Sequence, residues 1–196
     1  MTIALLVIDF QKGLVATDPL PGDAASVSAN VRELTQRARA ARVPVIFVQH
    51  EDDTLVPGSE AWQIADAAQA QDRDYFVSKR TPDSYLNTAL GATLTQLAIQ
   101  HVVICGYASE FCVDTTTRRA AANGFTVTLV ADAHTTHDPR QAARHGGHDP
   151  RASQSDAVEH AQLRPAHHRR ANSGYHVLRS VTRHAYCPSR RASSAA

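Results

Sequence analysis

The chain has 196 residues, with 20 Lys and Arg against 19 Asp and Glu, for a formal net charge of +1. This length fits one domain with a substantial core, and the charge balance excludes field-driven attraction to nucleic acid or a membrane surface. No apolar run approaches the length of a membrane span, and Cys105, Cys112 and Cys187 lie at no zinc-like spacing, which predicts free thiols in a reducing cytoplasm.

Ile3 to Ile8 is a continuous aliphatic run, as expected of a strand covered on both faces. No basic region precedes it and an acid, Asp9, ends it, so it does not read as a secretory leader. Ser26 to Ala41 spaces Val27, Val31, Leu34 and Ala38 as one face of a helix. Val43 to Val48 is a second buried strand with Pro44 near its start. A long connection from His50 to about Tyr75 carries a Pro57-Gly58 turn and Trp62. A short strand over Tyr75–Ser78 follows, then a helix over 86–100 built on Leu86, Leu90, Leu94 and Leu97. Val102–Cys105 and Thr126–Ala131 are further strands. Between them lies a helix from Phe111 to about Asn123, with Gly124 placed as its C′ residue. Alternating strands and helices predict an α/β fold with a doubly wound, mostly parallel sheet. Ligands in such sheets bind at the carboxyl ends of the strands, where Asp9, Lys79 and Cys112 all fall.

Cys112 follows the strand that breaks at Gly106 and sits at or just inside a helix N-terminus. Free N–H groups there favour a thiolate, lowering its pKa, and can hold an oxyanion. Asp9 suits a proton shuttle, and the Lys79 ammonium favours both anions by proximity. Taken singly, each has a plainer reading: a small buried hydrophobe, a helix cap and a solvated lysine. Three matched strand ends tip the balance toward chemistry. A dinucleotide site is excluded, because Asp9-Phe-Gln-Lys-Gly13 stands where a glycine-rich phosphate loop would be needed.

Residues 139–196 differ in kind. Their only aliphatics beyond alanine are Val158, Leu163, Val177, Leu178 and Val181, among many arginines, histidines, alanines and serines. Disorder is the expectation for such a composition. The histidines have no regular ligand spacing, and no interleaved aromatics suggest base stacking. The abrupt loss of amphipathic pattern fits a change of reading frame in a GC-rich gene.

Val7-Ile-Asp-Phe-Gln11, Lys79 with Ser84-Tyr85, Gly106-Tyr-Ala-Ser-Glu-Phe-Cys-Val-Asp114 and Val130-Ala-Asp-Ala-His134 together resemble the isochorismatase-like cysteine hydrolases, over residues 1–138 and in the family's order. The resemblance implies a three-layer, Rossmann-like domain over 1–138, with a six-stranded parallel sheet. It implies a catalytic triad of Asp9, Lys79 and Cys112 acting on a small carboxamide or related C–N bond through a thioester. It also implies a cis peptide at Tyr107-Ala108, an oxyanion hole of the Ala108 and Cys112 amides, and a homodimer or homotetramer. Gln11, Trp62 and Tyr107 are the candidate substrate contacts, with a core role the alternative for Trp62. Nicotinamidases of the family hold a metal through an Asp-x-His pair and a later histidine. Gln49-His-Glu-Asp-Asp53 departs from that pattern, so no metal and no cofactor are expected, nicotinamide is disfavoured, and His50 reads as a hydrogen-bonded loop residue. Nothing after Asp138 supplies the family's last helix and strand. The alternative function is therefore an inactive or damaged member serving as a binding or oligomerisation module.

Overall fold

The computed structural model describes residues 1–137 and 175–178. Strand β1 (Ile3–Ile8) leads through a single helical turn, α1 (Lys12–Val15), into the long helix α2 (Ala24–Ala40). Strands β2 (Val45–His50) and β3 (Tyr75–Lys79) precede helix α3 (Leu90–Gln96). Strand β4 (His101–Tyr107), helix α4 (Asp114–Ala122), strand β5 (Thr126–Thr135) and a short β6 (Tyr175–Leu178) complete the order. Every neighbouring pair is parallel, in the order β3-β2-β1-β4-β5-β6. The chain winds outward from β1 in one direction and from β4 in the other, so the switch point lies between those two strands.

Period-two alternation divides the core. Ala4, Leu6 and Ile8 of β1, with Ile46 and Val48 of β2, pack toward Leu90, Leu94, Val113 and Ala120 of the α3 and α4 side. Leu5, Val7, Val45 and Phe47 face Val27 and Val31 of α2. This is the expected three-layer α/β arrangement.

Two elements differ from the sequence pattern. The helix expected over 86–100 is confined to α3, because local bonds engage the residues before it. Asp83 Oδ1 accepts the Tyr85 N–H, Thr88 Oγ1 donates to the Ser84 carbonyl, and Asn87 is left-handed at φ 55°. Such side-chain bonds compete with helix formation. The helix expected from Phe111 begins as a π-helical turn, Ser109–Val113, in which the Val113 N–H reaches back to the Ala108 carbonyl at 3.1 Å. Gly124 closes α4 as expected, at φ 87°, with the Gly124 and Phe125 amides bonded to Ala121 and Ala120.

Beyond His137 the described residues comprise β6, which pairs with β5 from Val127↔Tyr175 to Val130↔Leu178. It occupies the sixth-strand place that the sequence reading leaves unfilled. The disorder expected elsewhere in 139–196 lies outside the described residues. Within them, no helix is long and apolar enough to cross a membrane.

Candidate active site

Three strand ends meet beside the switch point. Asp9 leaves β1 at φ 45°, its N–H bonded to the Val48 carbonyl at 2.8 Å. Lys79 ends β3 as the next inward residue after Val77, so a cation continues an apolar row. Cys112 is carried by the π-helical turn after β4. Gly106 makes the approach possible: it pairs with Ile8 at φ 124°, and a Cβ there would lie 2.0 Å from the Ile8 carbonyl oxygen. Only glycine lets β4 close on β1 at this point. The Tyr107–Ala108 peptide is cis, as the family resemblance implies.

The three side chains are sealed, with Asp9, Lys79 and Cys112 exposing 1%, 2% and 5% of their surfaces. Lys79 Nζ donates to Asp9 Oδ2 at 2.7 Å, to the Thr81 carbonyl at 3.1 Å and to Cys112 Sγ at 3.2 Å. Among the described residues Asp9 Oδ1 has no hydrogen-bond partner. Burial pulls the Lys79 ammonium down, but Asp9 and Cys112 outweigh it and leave its pKa above the ordinary value.

The thiol corrects the expectation. A helix terminus was the argument for a depressed pKa, yet burial pushes Cys112 up, the Asp9 charge adds to that, and Lys79 only partly opposes them. The resting group is therefore a thiol. Cys105, fully buried on β4, is pushed up to about 12 by burial alone.

The candidate substrate contacts divide. Gln11 is fully buried. Its Oε1 accepts the His50 N–H at 2.7 Å, and its Nε2 donates to the His50 and Trp62 carbonyls, each at 3.0 Å. Both amide hydrogens are thus engaged by backbone carbonyls, which makes Gln11 a brace between His50 and the Trp62 segment. Trp62 is half-buried, on a segment tied to the chain after β1 by the Lys12–Gln63, Gly13–Ala61 and Ala65–Phe10 backbone bonds. Its Nε1 is sealed, with no hydrogen-bond partner among the described residues. The Tyr107 hydroxyl meets His137 Nδ1 at 2.9 Å, so its polar end is engaged there. Ala108 caps the π-helical turn, its carbonyl receiving the Phe111 and Val113 amides.

His50 is not in a loop. It ends β2 in register with Lys79, continues the inward Ile46 and Val48 row, and places Nδ1 3.4 Å from Lys79 Nζ. That period-two row was the available sequence signal. Among the described residues no group of three or more His, Cys, Asp or Glu is arranged to hold a metal. A surface groove along the outer face of α2, lined by Ser28, Arg32, Gln36 and Ala67, includes none of these site residues.

Comparison with known proteins identifies the family and agrees with the fold. The family model described as the isochorismatase domain matches residues 3–149, reaching past Asp138. A streptothricin hydrolase of Streptomyces noursei is 34% identical over 81% of this chain, which spans 64% of that protein's length. An uncharacterized isochorismatase family protein of Bacillus subtilis is 29% identical, over 68% of this chain and 77% of its own. Among solved structures, an isochorismatase family protein superposes with a TM-score of 0.67 at 34% identity, covering 73% of this chain and 89% of that one. An isochorismatase from Pseudomonas putida gives 0.65 at 31% identity, covering 68% and 71%.

Proposed function

The chain belongs to the isochorismatase family, and from that premise we propose that it is a cysteine hydrolase opening the C–N bond of a small carboxamide or related substrate. The observation that carries the reading is the single ammonium joining both partners, with Lys79 Nζ 2.7 Å from Asp9 Oδ2 and 3.2 Å from Cys112 Sγ. Relatives named streptothricin hydrolase and nicotinamidase support hydrolysis as the reaction type.

In this reading Cys112 Sγ attacks the substrate carbonyl while its proton passes to Asp9 Oδ1, the oxygen without a partner. The new C–S bond pushes the carbonyl electrons onto oxygen, and the Ala108 and Cys112 N–H groups receive that charge. Collapse breaks the C–N bond, and Asp9 returns the proton to the leaving nitrogen. Asp9 then deprotonates a water that opens the thioester, releasing the acid and restoring the thiol. Lys79 keeps its charge throughout and offsets whichever partner is anionic. The unpartnered Trp62 Nε1 is the candidate donor to substrate. The free thiols Cys105 and Cys112 fit a reducing cytoplasm, and assembly as a homodimer or homotetramer belongs to the same reading.

The test is a panel of small amides assayed for ammonia or amine release, with intact-mass detection of an acyl group on Cys112. Turnover that disappears in Cys112→Ala, with an adduct mapped to Cys112, is expected. A folded protein that yields neither across the panel would overturn the assignment in favour of a binding module.

A further inference from the structure

Lys79 has three hydrogens and four acceptors around it. Asp9 Oδ2 at 2.7 Å and the Thr81 carbonyl at 3.1 Å take two. The third is contested by Cys112 Sγ at 3.2 Å and His50 Nδ1 at 3.4 Å. A thiol sulfur is a weak acceptor and an imidazole nitrogen a good one, whereas a thiolate is charged and takes a stronger bond than either. We propose that His50 is a positioning residue of the site: its Nδ1 holds the third Lys79 hydrogen while Cys112 is a thiol and releases it to Sγ when the thiolate forms. This rests on the cysteine-hydrolase reading. Only hydrogen bonds change hands at the ammonium. The S–H proton goes to Asp9, so Lys79 keeps its three hydrogens and its charge.

The fold holds the ring for this task. Gln11 grips both backbone polar groups of His50, and the parallel register sets His50 opposite Lys79. Donation into Nδ1 leaves the ring proton on Nε2, which faces Asp52 Oδ2 at 3.6 Å, beyond hydrogen-bond distance. Asp52 is itself fixed, its Oδ1 accepting from the Thr54 N–H, the Thr54 hydroxyl and the Leu55 N–H, each at 2.7 Å. The charged groups facing the ring are Lys79 from β3, Asp9 from β1, and Asp52 and Glu51 from its own segment. Burial and then Lys79 lower the His50 pKa, outweighing the three carboxylates, so the ring is neutral and able to accept.

The test measures the rate of Cys112 alkylation by iodoacetamide against pH, resolved by peptide mapping, in the unaltered chain and in two variants. His50→Phe removes the competing acceptor, so the thiol should titrate about half a unit lower and label about threefold faster at pH 7. His50→Asn sets an amide oxygen where Nδ1 stood and should stay within about twofold of the unaltered protein. An unmoved profile in His50→Phe, or equal shifts in both variants, would overturn the proposal. Should His50→Phe fail to fold, nitrogen-15 NMR of the unaltered chain decides: a ring proton on Nε2 supports the proposal and one on Nδ1 refutes it. Labelling needs no substrate, so an amide panel without turnover defeats the hydrolase reading while this measurement still judges His50.

Discussion

Gln11 and His50 exchange a two-way hydrogen bond, the Gln11 amide receiving the His50 N–H at 2.7 Å and giving to its carbonyl at 3.0 Å. A side chain after β1 thus imitates a strand neighbour for the last residue of β2. Gln11→Ala would leave the buried His50 N–H without its acceptor, at a cost of about 2–3 kcal/mol. Denaturant unfolding should show that loss with little change in m-value, and turnover should fall as the ring against Lys79 loosens.

Asp9→Asn tests the proton shuttle. The substitution preserves shape but deletes the carboxylate that takes the S–H proton and that, after burial, also holds the Cys112 thiol up. With no base to take the S–H proton, labelling of Cys112 at pH 7 should slow and turnover should drop by about 10²–10⁴. Parallel intact-mass and ammonia assays check both. Labelling and turnover both unchanged from the unaltered protein would contradict the shuttle role.

Stability should plateau between about pH 6.5 and 9. His50 and His134 have folded pKa values below 6.5, so their contribution is present above 6.5 and lost as pH falls through the folded values. Cys112 and Lys79 have folded values above 9.0 and 10.5, so theirs is complete below those points and lost as pH climbs toward the folded values. Urea midpoints across pH 5–11 test this, and Cys112→Ala should flatten the alkaline limb.

Three helices end in the same left-handed motif, with Arg42 at φ 57°, Ala98 at φ 51° and Gly124 at φ 87° in the C′ position. Only the last is glycine. Ala98→Gly, which keeps the residue 98 N–H bond to the Thr95 carbonyl and the Ile99 N–H bond to the Leu94 carbonyl, should stabilise the protein by about 0.5–1 kcal/mol. Thermal unfolding of the single variant checks it.

Strands were legible because β1 and β2 are uninterrupted apolar runs, and the site because Asp9, Lys79 and Cys112 each fall at a strand's carboxyl end. The state of the thiol was not legible, since it turns on how deeply Cys112 is sealed and on a carboxylate from a strand about a hundred residues away. Gln11 shows a related limit: its position beside the site was visible, but not that its amide bonds to the backbone of His50 and Trp62. The shortened α3 shows the same limit, because Leu86 keeps helical spacing while Asp83, Thr88 and Asn87 divert the backbone.

The zero clearance between Gly106 and Ile8 gives the site a kind of gauge block. Asp9 follows Ile8 by one residue, and Cys112 lies six residues beyond Gly106, so the interval between Asp9 and Cys112 is referenced to main-chain contact. Side-chain substitutions among Val27, Val31 and Phe47 can therefore accumulate on the α2 side, shifting stability, without resetting that interval. The core is left room to drift while the chemistry keeps its dimensions.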